Sequence, residues 1–489
     1  MGTDFDKHFW KAAMTLATGK GLDLARHWKR LRSIQSGLAV LAGALLLAWP
    51  AFFNGFPLLY PDSMTYLDDG RIVGRAIFLH DFSTYYGVRS LFYGLGILPF
   101  HWNINPWPVA ALQCLLVAWV VFLVVRSISP RQTAARYLVL VALLSLLTSA
   151  GWYAVFIMPD ILGPVLYLCI YLLVFAPQTL SRAERLALYP IAWWCVTAHA
   201  THLLLAAGLC VLLALFAAFE RGRVLYRMKA LGQVAAILAF AAASQLALNA
   251  YLYDKPSLNG ERPPYLTARI LADGPGRWYL ERHCPQLQWA TCAELQTQPT
   301  DADGFLWGPG GSYDAGTDSD KRRIEDEEMP FVLATMRAYP RQQFSRSAAN
   351  FEGQLMAFGL YGFDPSPWIL GDFDQVLPSA RPGYLRSRQA NDSLPLDLLT
   401  EVQFWGIVAS LGVIVLVMLF ARRYSRMFAG LSLVIVSVVV GNAFVGGVLS
   451  VVDDRYGCRV IWLIPLLAGL TILDCLAQRD SLRAAAGAA

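Results

Sequence analysis

The hydrophobic positions of this chain fall into long unbroken runs, separated by short polar stretches that carry arginines. A helix needs about 20 apolar residues to cross a bilayer. Runs of that kind cover 36–56, 106–125, 135–153, 160–177, 230–251, 402–421, 428–450 and 459–477. The run 186–219 is too long for one span and short for two, and His199, Thr201 and His202 interrupt its middle. The pattern predicts two short helices meeting at that polar elbow, and hence about ten spans.

The basic residues orient these spans. Lys29, Arg30 and Arg32 precede the first, and Arg126, Arg131 and Arg136 separate the second and third. Arg182 and Arg185 follow the fourth, and Arg221, Arg223, Arg227 and Lys229 precede the seventh. Arg422, Arg423 and Arg426 separate the eighth and ninth, and Arg479 and Arg483 follow the last. With ten spans all these clusters fall on one side, which the positive-inside rule makes cytoplasmic. Residues 1–35 then form a cytoplasmic segment, where Phe5, Phe9, Leu16, Leu24, Trp28 and Leu31 recur among lysines and arginines. Such a pattern suits an amphipathic helix on an anionic inner leaflet. Its basic region is too long for a signal peptide, and no small-residue cleavage site follows.

Three segments remain on the far side. The first is the loop 53–105, whose apolar middle, 85–102, is short enough to be an interfacial helix. The second, 253–400, is the part able to form a mixed, mainly helical extracytoplasmic domain, and the third is the turn 452–459. The organisation expected is therefore a cytoplasmic segment (1–35), a transmembrane module (36–252), an external domain (253–400) and C-terminal transmembrane helices (401–489).

Composition agrees with a polytopic α-helical membrane protein. Of 489 residues 56% are hydrophobic and 15% charged, against about 25% charged in soluble domains; mean hydropathy is +0.44. No basic cluster carries the interleaved aromatics of a nucleic-acid surface. Six of the eight cysteines lie in or beside apolar runs. The other two, Cys284 and Cys292, are spaced for a local disulfide in an oxidising compartment.

Candidate chemistry gathers on the far side. In the stretch 49–70, WPAFFNGFPLLYPDSMTYLDDG, Pro50, Pro57 and Pro61 force the chain out of the first helix. Asp62 then sits just past the membrane, although Pro-Asp-Ser is also ordinary turn composition. Asp160, after Met158 and Pro159, stands at the start of an apolar run, where Pro-Asp is good helix-start chemistry too. His199 and His202 share a helical face, which suits a metal, a phosphate, or closure of the elbow onto backbone. Arg455 and Arg459, with Tyr456 between them, offer guanidinium forks to a phosphate, or ion pairs to Asp453 or Asp454. Arg89 in the first loop is a similar cation. Gly274-Pro-Gly-Arg277 and Gly308-Pro-Gly-Gly311 lack the strand, helix and lysine of a nucleotide loop and read as turns.

Together these positions resemble the C-type (GT-C) membrane glycosyltransferases. Those enzymes have many spans, a long first external loop with an acid soon after the first helix, and a further acid after the third. Asp62 in Tyr60-Pro-Asp-Ser63 and Asp160 in Met158-Pro-Asp160 match those positions, and 85–102 suits their interfacial helix. Asp454-Arg455-Tyr456 is similar to an Arg-Tyr stretch that several members carry before their last spans. The resemblance covers roughly 36–252 and does not extend to the external domain. It implies inverting transfer of a sugar from a polyprenyl-phosphate donor to a periplasmic or lipid-linked acceptor, at the periplasmic face of a bacterial inner membrane. Asp62 would be the general base and Asp160 the second catalytic acid, able to hold part of a divalent metal such as Mg or Mn. Arg455, Tyr456, Arg459, Arg89, His199 and His202 would bind substrate. Many members carry paired acids where this chain has Asp62-Ser63; the nearest pair, Asp68-Asp69, is a second place for the base. Two other readings stand beside this one. A lipid-linked polymer ligase or polymerase would use Arg455, His199 and His202, whereas a secondary transporter would need mid-membrane ionisable groups and an internal repeat.

Overall fold

The computed structural model describes residues 34–82, 89–130, 133–219, 228–253, 256–258, 262–293, 295–297, 299–308, 310–420 and 425–486. The expected amphipathic segment lies outside them except for its last two residues. So do Lys29, Arg30, Arg32, Arg131, Arg221, Arg223, Arg227, Arg422 and Arg423.

Among the described residues the regular elements are helices. The first part of the chain runs α1 (Ile34–Asn54), α2 (Pro61–Leu79), α3 (Leu91–His101), α4 (Trp107–Ile128), α5 (Thr133–Leu147), α6 (Ser149–Ala154) and α7 (Leu162–Phe175). Next come α8 (Arg182–Thr197), α9 (Ala200–Phe219), α10 (Met228–Tyr253), α11 (Tyr265–Asp273), α12 (Pro275–His283) and α13 (Ala302–Trp307). The remainder is α14 (Asp318–Ala338), α15 (Pro340–Met356), α16 (Pro367–Val376), α17 (Arg381–Leu385), α18 (Leu396–Phe420), α19 (Arg426–Leu449), α20 (Asp454–Ile461) and α21 (Leu463–Ala486).

Seven of these are long and apolar enough to cross a membrane: α1, α4, α9, α10, α18, α19 and the continuous pair α20–α21. The chain is a multi-pass helical membrane protein. Three of the ten expected spans are instead the shorter helices α5, α7 and α8, of 15, 14 and 16 residues. At 1.5 Å per residue they reach about 21–24 Å, less than the roughly 30 Å of a hydrocarbon core. Each is cut by local chemistry. Thr148 turns extended after α5, and its Oγ1 accepts from Ala150 N at 3.2 Å to cap α6. Pro159 holds Met158 extended ahead of α7. The chain breaks after Thr197 at the elbow that carries His199.

Burial sorts the helices by position. Every residue of α7 is buried, as an all-round apolar helix must be when it forms the centre of a bundle. In contrast, α18 exposes Leu398, Phe404, Trp405, Leu411, Val415 and Leu419, the apolar outer surface that lipid accepts.

Two features of the first loop differ from expectation. Pro50 does not end α1 but sits inside its last turn. Proline leaves the carbonyl four residues back without its donor, and Ser145 Oγ supplies one to Leu46 O at 2.5 Å. Trp49 Nε1 returns a bond to Ser145 O at 3.0 Å. The helix ends at Gly55, whose φ of +84° favours glycine. Beyond it the loop holds two helices rather than one. Pro61 opens α2, and α2 crosses α3 at Gly70 and Gly94, so closely that a Cβ on Gly70 would stand 2.4 Å from Gly94 O.

The segment 253–400 also divides. Residues of α11–α14 have their own core, with Leu280, Phe305, Ile324 and Phe331 at its centre. Glu328 anchors it by accepting from Leu266 N and Thr267 N at the start of α11. Cys284 and Cys292 form the expected disulfide there. Phe363, Ile369, Phe373 and Tyr384 pack instead into the core of the membrane half. Gln389 fastens that portion, its amide bonding Leu59 N and Leu59 O at 3.1 and 2.8 Å.

A buried glutamine on α4 holds the irregular backbone at the bundle end. Gln113 Nε2 donates to Ala154 O and Phe156 O at 3.2 and 2.7 Å, and its Oε1 accepts from Tyr93 OH at 2.7 Å. Leaving buried polar groups unpartnered costs about 1–3 kcal/mol each. Gln113→Leu is therefore expected to lower the thermal unfolding midpoint in detergent by several degrees. An unchanged midpoint would show that these bonds do not hold the structure.

Candidate functional site

The site begins with a parallel bridge between two segments that leave the bundle. Leu58 N donates to Val155 O at 3.2 Å, and Ile157 N donates to Leu58 O at 3.0 Å, pairing Leu58 with Phe156. Asp62 and Asp160 each follow the bridged residue by four positions, and each comes directly after a proline. Pro61 is the first residue of α2, and Ser63 Oγ accepts from Tyr60 N at 2.9 Å. Pro159 opens the single turn that leads into α7. Both carboxylates thus sit at helix starts, where the backbone dipole favours negative charge.

Arg455 joins them. Its Nε donates to Asp160 Oδ1 at 3.2 Å, and its Nη1 lies 3.6 Å from Asp62 Oδ2. The guanidinium also lies over the Tyr60 ring, 4.5 Å from its centroid. Arg89 reaches Asp62 from the other side, Nη2 to Oδ1 at 2.6 Å. Two carboxylates and two guanidiniums therefore alternate in one cluster. Asp160 is buried at 1% exposure and Arg455 at 7%, whereas the Asp62 side chain keeps 15%. Asp62 is the carboxylate that a molecule arriving from outside the bundle can reach.

The segment 452–459 is not the turn its sequence suggested. Asp453 caps α20, accepting from Arg455 N at 2.7 Å, so Arg455 and Arg459 lie one helical turn apart on one face. Asp454 accepts from Gly359 N at 2.8 Å. Neither acid pairs with Arg455, because both are spent on backbone. Arg459 is buried, its Nε donating to Asn442 Oδ1 at 2.8 Å and its guanidinium 5.1 Å from the Tyr456 ring. Asn442 in turn donates to Tyr456 O at 2.7 Å.

The histidines close the elbow. His199 Nδ1 lies 2.8 Å from Thr201 Oγ1, and His202 Nδ1 donates to Cys195 O at 2.7 Å. Those bonds use the Nδ1 atoms, and among the described residues no third His, Cys, Asp or Glu side chain joins the pair. The second acidic pair is elsewhere. Asp68 is held by Arg71 at 2.7 Å, and Asp69 is buried beneath α3, where its Oδ2 has no hydrogen-bond partner.

A divalent metal here would be held by Asp160 and Asp62, with a substrate phosphate and water completing its shell. Among the described residues no group of three His, Cys, Asp or Glu side chains converges. The delocalised charge of Arg455 already stands against Asp160 Oδ1. In this structure the cation that stands against both carboxylates is the Arg455 guanidinium.

Sequence reasoning missed the residues that come from the external helices and from backbone packing. Tyr265 OH lies 3.4 Å from Arg89 Nη1, and Arg89 stands 5.7 Å from the Trp307 ring centroid. These contacts bring α11 and α13 over the Asp62 side of the cluster. Tyr153 OH donates to Arg455 O at 3.1 Å. Tyr60 alone carried a local signal, since it immediately precedes the Pro-Asp pair. No protein-family model, curated protein or solved structure matches this chain.

Asp69 offers a test of the loop's electrostatics. Burial, and next the charge of Asp68, raise its carboxyl from 3.8 to about 7, against a smaller opposing effect of Arg89. A carboxyl whose pKa is raised by folding binds its proton more tightly in the folded state, so its contribution to stability is full below pH 3.8 and is lost as pH rises through about 7. Asp69→Asn is expected to flatten that dependence and to raise the unfolding midpoint at pH 8. An unfolding midpoint with the same pH profile in both proteins would contradict the buried-carboxyl assignment.

Proposed function

We propose that this chain is an inverting membrane glycosyltransferase that takes a sugar from a polyprenyl phosphate and passes it to a hydroxyl acceptor. The observation that carries this reading is the convergence of Asp62 and Asp160, 98 residues apart, on Arg455 at one end of an apolar bundle. An acceptor hydroxyl needs a carboxylate within hydrogen-bond reach, and a departing lipid phosphate needs cations for its growing charge. Asp62 is the more accessible acid and takes the role of base. The acceptor oxygen attacks the anomeric carbon while the bond from that carbon to the phosphate oxygen breaks. The hydroxyl proton passes to Asp62, and the bonding pair leaves on the phosphate. Arg89 and Arg455 hold that phosphate, whose charge competes with Asp62 for them and leaves the carboxylate free for its proton. Asp160 positions Arg455 by charge and hydrogen bond. No step passes through a metal.

The same reading sets the orientation. Ten traversals, three of them by the short helices, put the basic clusters between runs on one side and both termini in the cytoplasm. The site then faces the periplasm of a bacterial inner membrane. A ligase or polymerase built on arginine and histidine is the alternative, supported by Arg455 and Arg459 on one face of α20. A transporter is less well supported, because the ion cluster lies at a bundle end rather than at mid-membrane.

The base assignment is tested with purified protein in nanodiscs and a panel of polyprenyl-phosphate sugars. Asp62→Asn should fold, insert and lose about 10²–10⁴ in turnover, the usual contribution of a positioned general base. Asp68→Asn should lose little. Full activity in Asp62→Asn would remove the carboxylate mechanism and favour the ligase reading. For orientation, a single cysteine introduced near residue 310 should react with an impermeant thiol reagent in intact cells, and one near 424 should not. The reverse labelling would overturn the topology.

A further inference from the structure

Among the buried polar atoms without a hydrogen-bond partner are Asp160 Oδ2, His202 Nε2 and Arg459 Nη1. Their residues are 1%, 1% and 2% exposed. They come from three parts of the fold, the turn before α7, the start of α9, and α20. The packing brings those parts together. A Cβ on Gly163, one turn after Asp160, would stand 3.0 Å from His202 Nε2. One turn after His202, Leu205 lies against Gly441, whose neighbour Asn442 holds Arg459. Helix α9 packs on α7, and α20 packs both on α7 and on the turn that carries Asp160.

The chemistry of the three atoms selects the ligand. Cys195 O takes the Nδ1 proton of His202, which leaves Nε2 of the neutral ring as an acceptor. Asp160 Oδ2 is a second acceptor, and Arg459 Nη1 is a donor. A phosphate brings no proton to the two acceptors and is repelled by Asp160. A metal ion is repelled by Arg459. A neutral hydroxyl compound donates to the two acceptors and accepts from the arginine. On the glycosyl-transfer reading above, we propose that Asp160, His202 and Arg459 line a subsite for the hydroxyl groups of the donor's sugar, beneath the Arg89–Arg455 pair that holds its phosphate. The assignment of Arg459 and His202 to phosphate recognition gives way to sugar recognition, because the set is mixed rather than cationic.

The test measures binding of undecaprenyl phosphate, bare or carrying glucose, galactose, mannose or arabinose, to the full chain in nanodiscs. At least one sugar-bearing lipid should bind about tenfold or more tighter than the bare phosphate, since a site built to bond hydroxyls rejects ligands that lack them. His202→Phe, which removes the acceptor, and Gly163→Ala, which displaces the ring, should erase that margin. Both should keep the affinity for bare undecaprenyl phosphate within about twofold, which also reports intact folding. His202→Gln, which restores an acceptor oxygen, should recover part of the margin. No margin for any sugar in the native protein, as expected if water alone fills the site, overturns the proposal. So does a loss of bare and sugar-bearing lipid in equal measure in all three variants. Native binding of bare phosphate with no sugar margin leaves the transferase reading standing, whereas no binding of any of these lipids overturns both.

Discussion

Everything at the working end of this protein depends on the charge balance around Arg455. A guanidinium that is 7% exposed carries a large desolvation cost, which is met only by close partners of opposite charge. Asp160 at 3.2 Å and Asp62 at 3.6 Å meet it, the Tyr60 ring covers one face, and Arg89 balances the second carboxylate. Removing Arg455 takes away the ion-pair partner of Asp160, and removing Asp62 takes away that of Arg89, so the members depend on one another. The same interdependence makes the cluster responsive. An arriving anion is a competing partner for the two arginines, and the carboxylate it displaces becomes available for chemistry.

That balance requires a scaffold able to hold irregular backbone at the end of an apolar bundle. Lipid offers no hydrogen bonds, and each exposed N–H or C=O must be satisfied by the protein itself. The chain does this with single polar side chains. Gln113 takes up the carbonyls of Ala154 and Phe156, Ser145 takes the carbonyl that Pro50 leaves open, and Gln389 spans both polar groups of Leu59. The bridge between Leu58 and Phe156 completes the arrangement, and its register sets the two Pro-Asp pairs side by side. A shift of one residue in either segment would turn one carboxylate away from Arg455. The external helices contribute from above, where Tyr265 and Trp307 approach Arg89. The described part of 253–400 is thus partly a separate folded unit and partly a cover for the membrane half.

How much of this could be read without the structure depends on how local each signal is. Apolar run length is local, and it located the full-length helices, the elbow at His199 and the contrast between bundle and external domain. The Cys284–Cys292 spacing is local, and so are the two Pro-Asp pairs and the polar identity of Arg455. Helix breaks inside apolar runs were less legible. Thr148 and Pro159 shorten their helices through capping and backbone restriction that hydropathy does not register, and Pro50 stays helical because a distant serine compensates. The second helix of the first loop was missed because its stability comes from the Gly70–Gly94 crossing rather than from amphipathic periodicity.

The amino-acid sequence by itself determined that this is a multi-pass helical membrane protein, since composition and apolar run length need no contacts to act. It also placed acids and arginines near the ends of those runs, and marked Asp62, Asp160 and Arg455 as residues whose charge would be costly without purpose. Only the tertiary structure decided which of them meet. Asp62 joins Arg89 and Arg455 whereas Asp68 is spent on Arg71, and Arg455 pairs with Asp160 rather than with its neighbours Asp453 and Asp454. The reason is that ion pairing falls off over a few ångströms, while the partners here are separated by tens to hundreds of residues along the chain. Their proximity is a consequence of helix packing and of one backbone bridge, neither of which has a local signature.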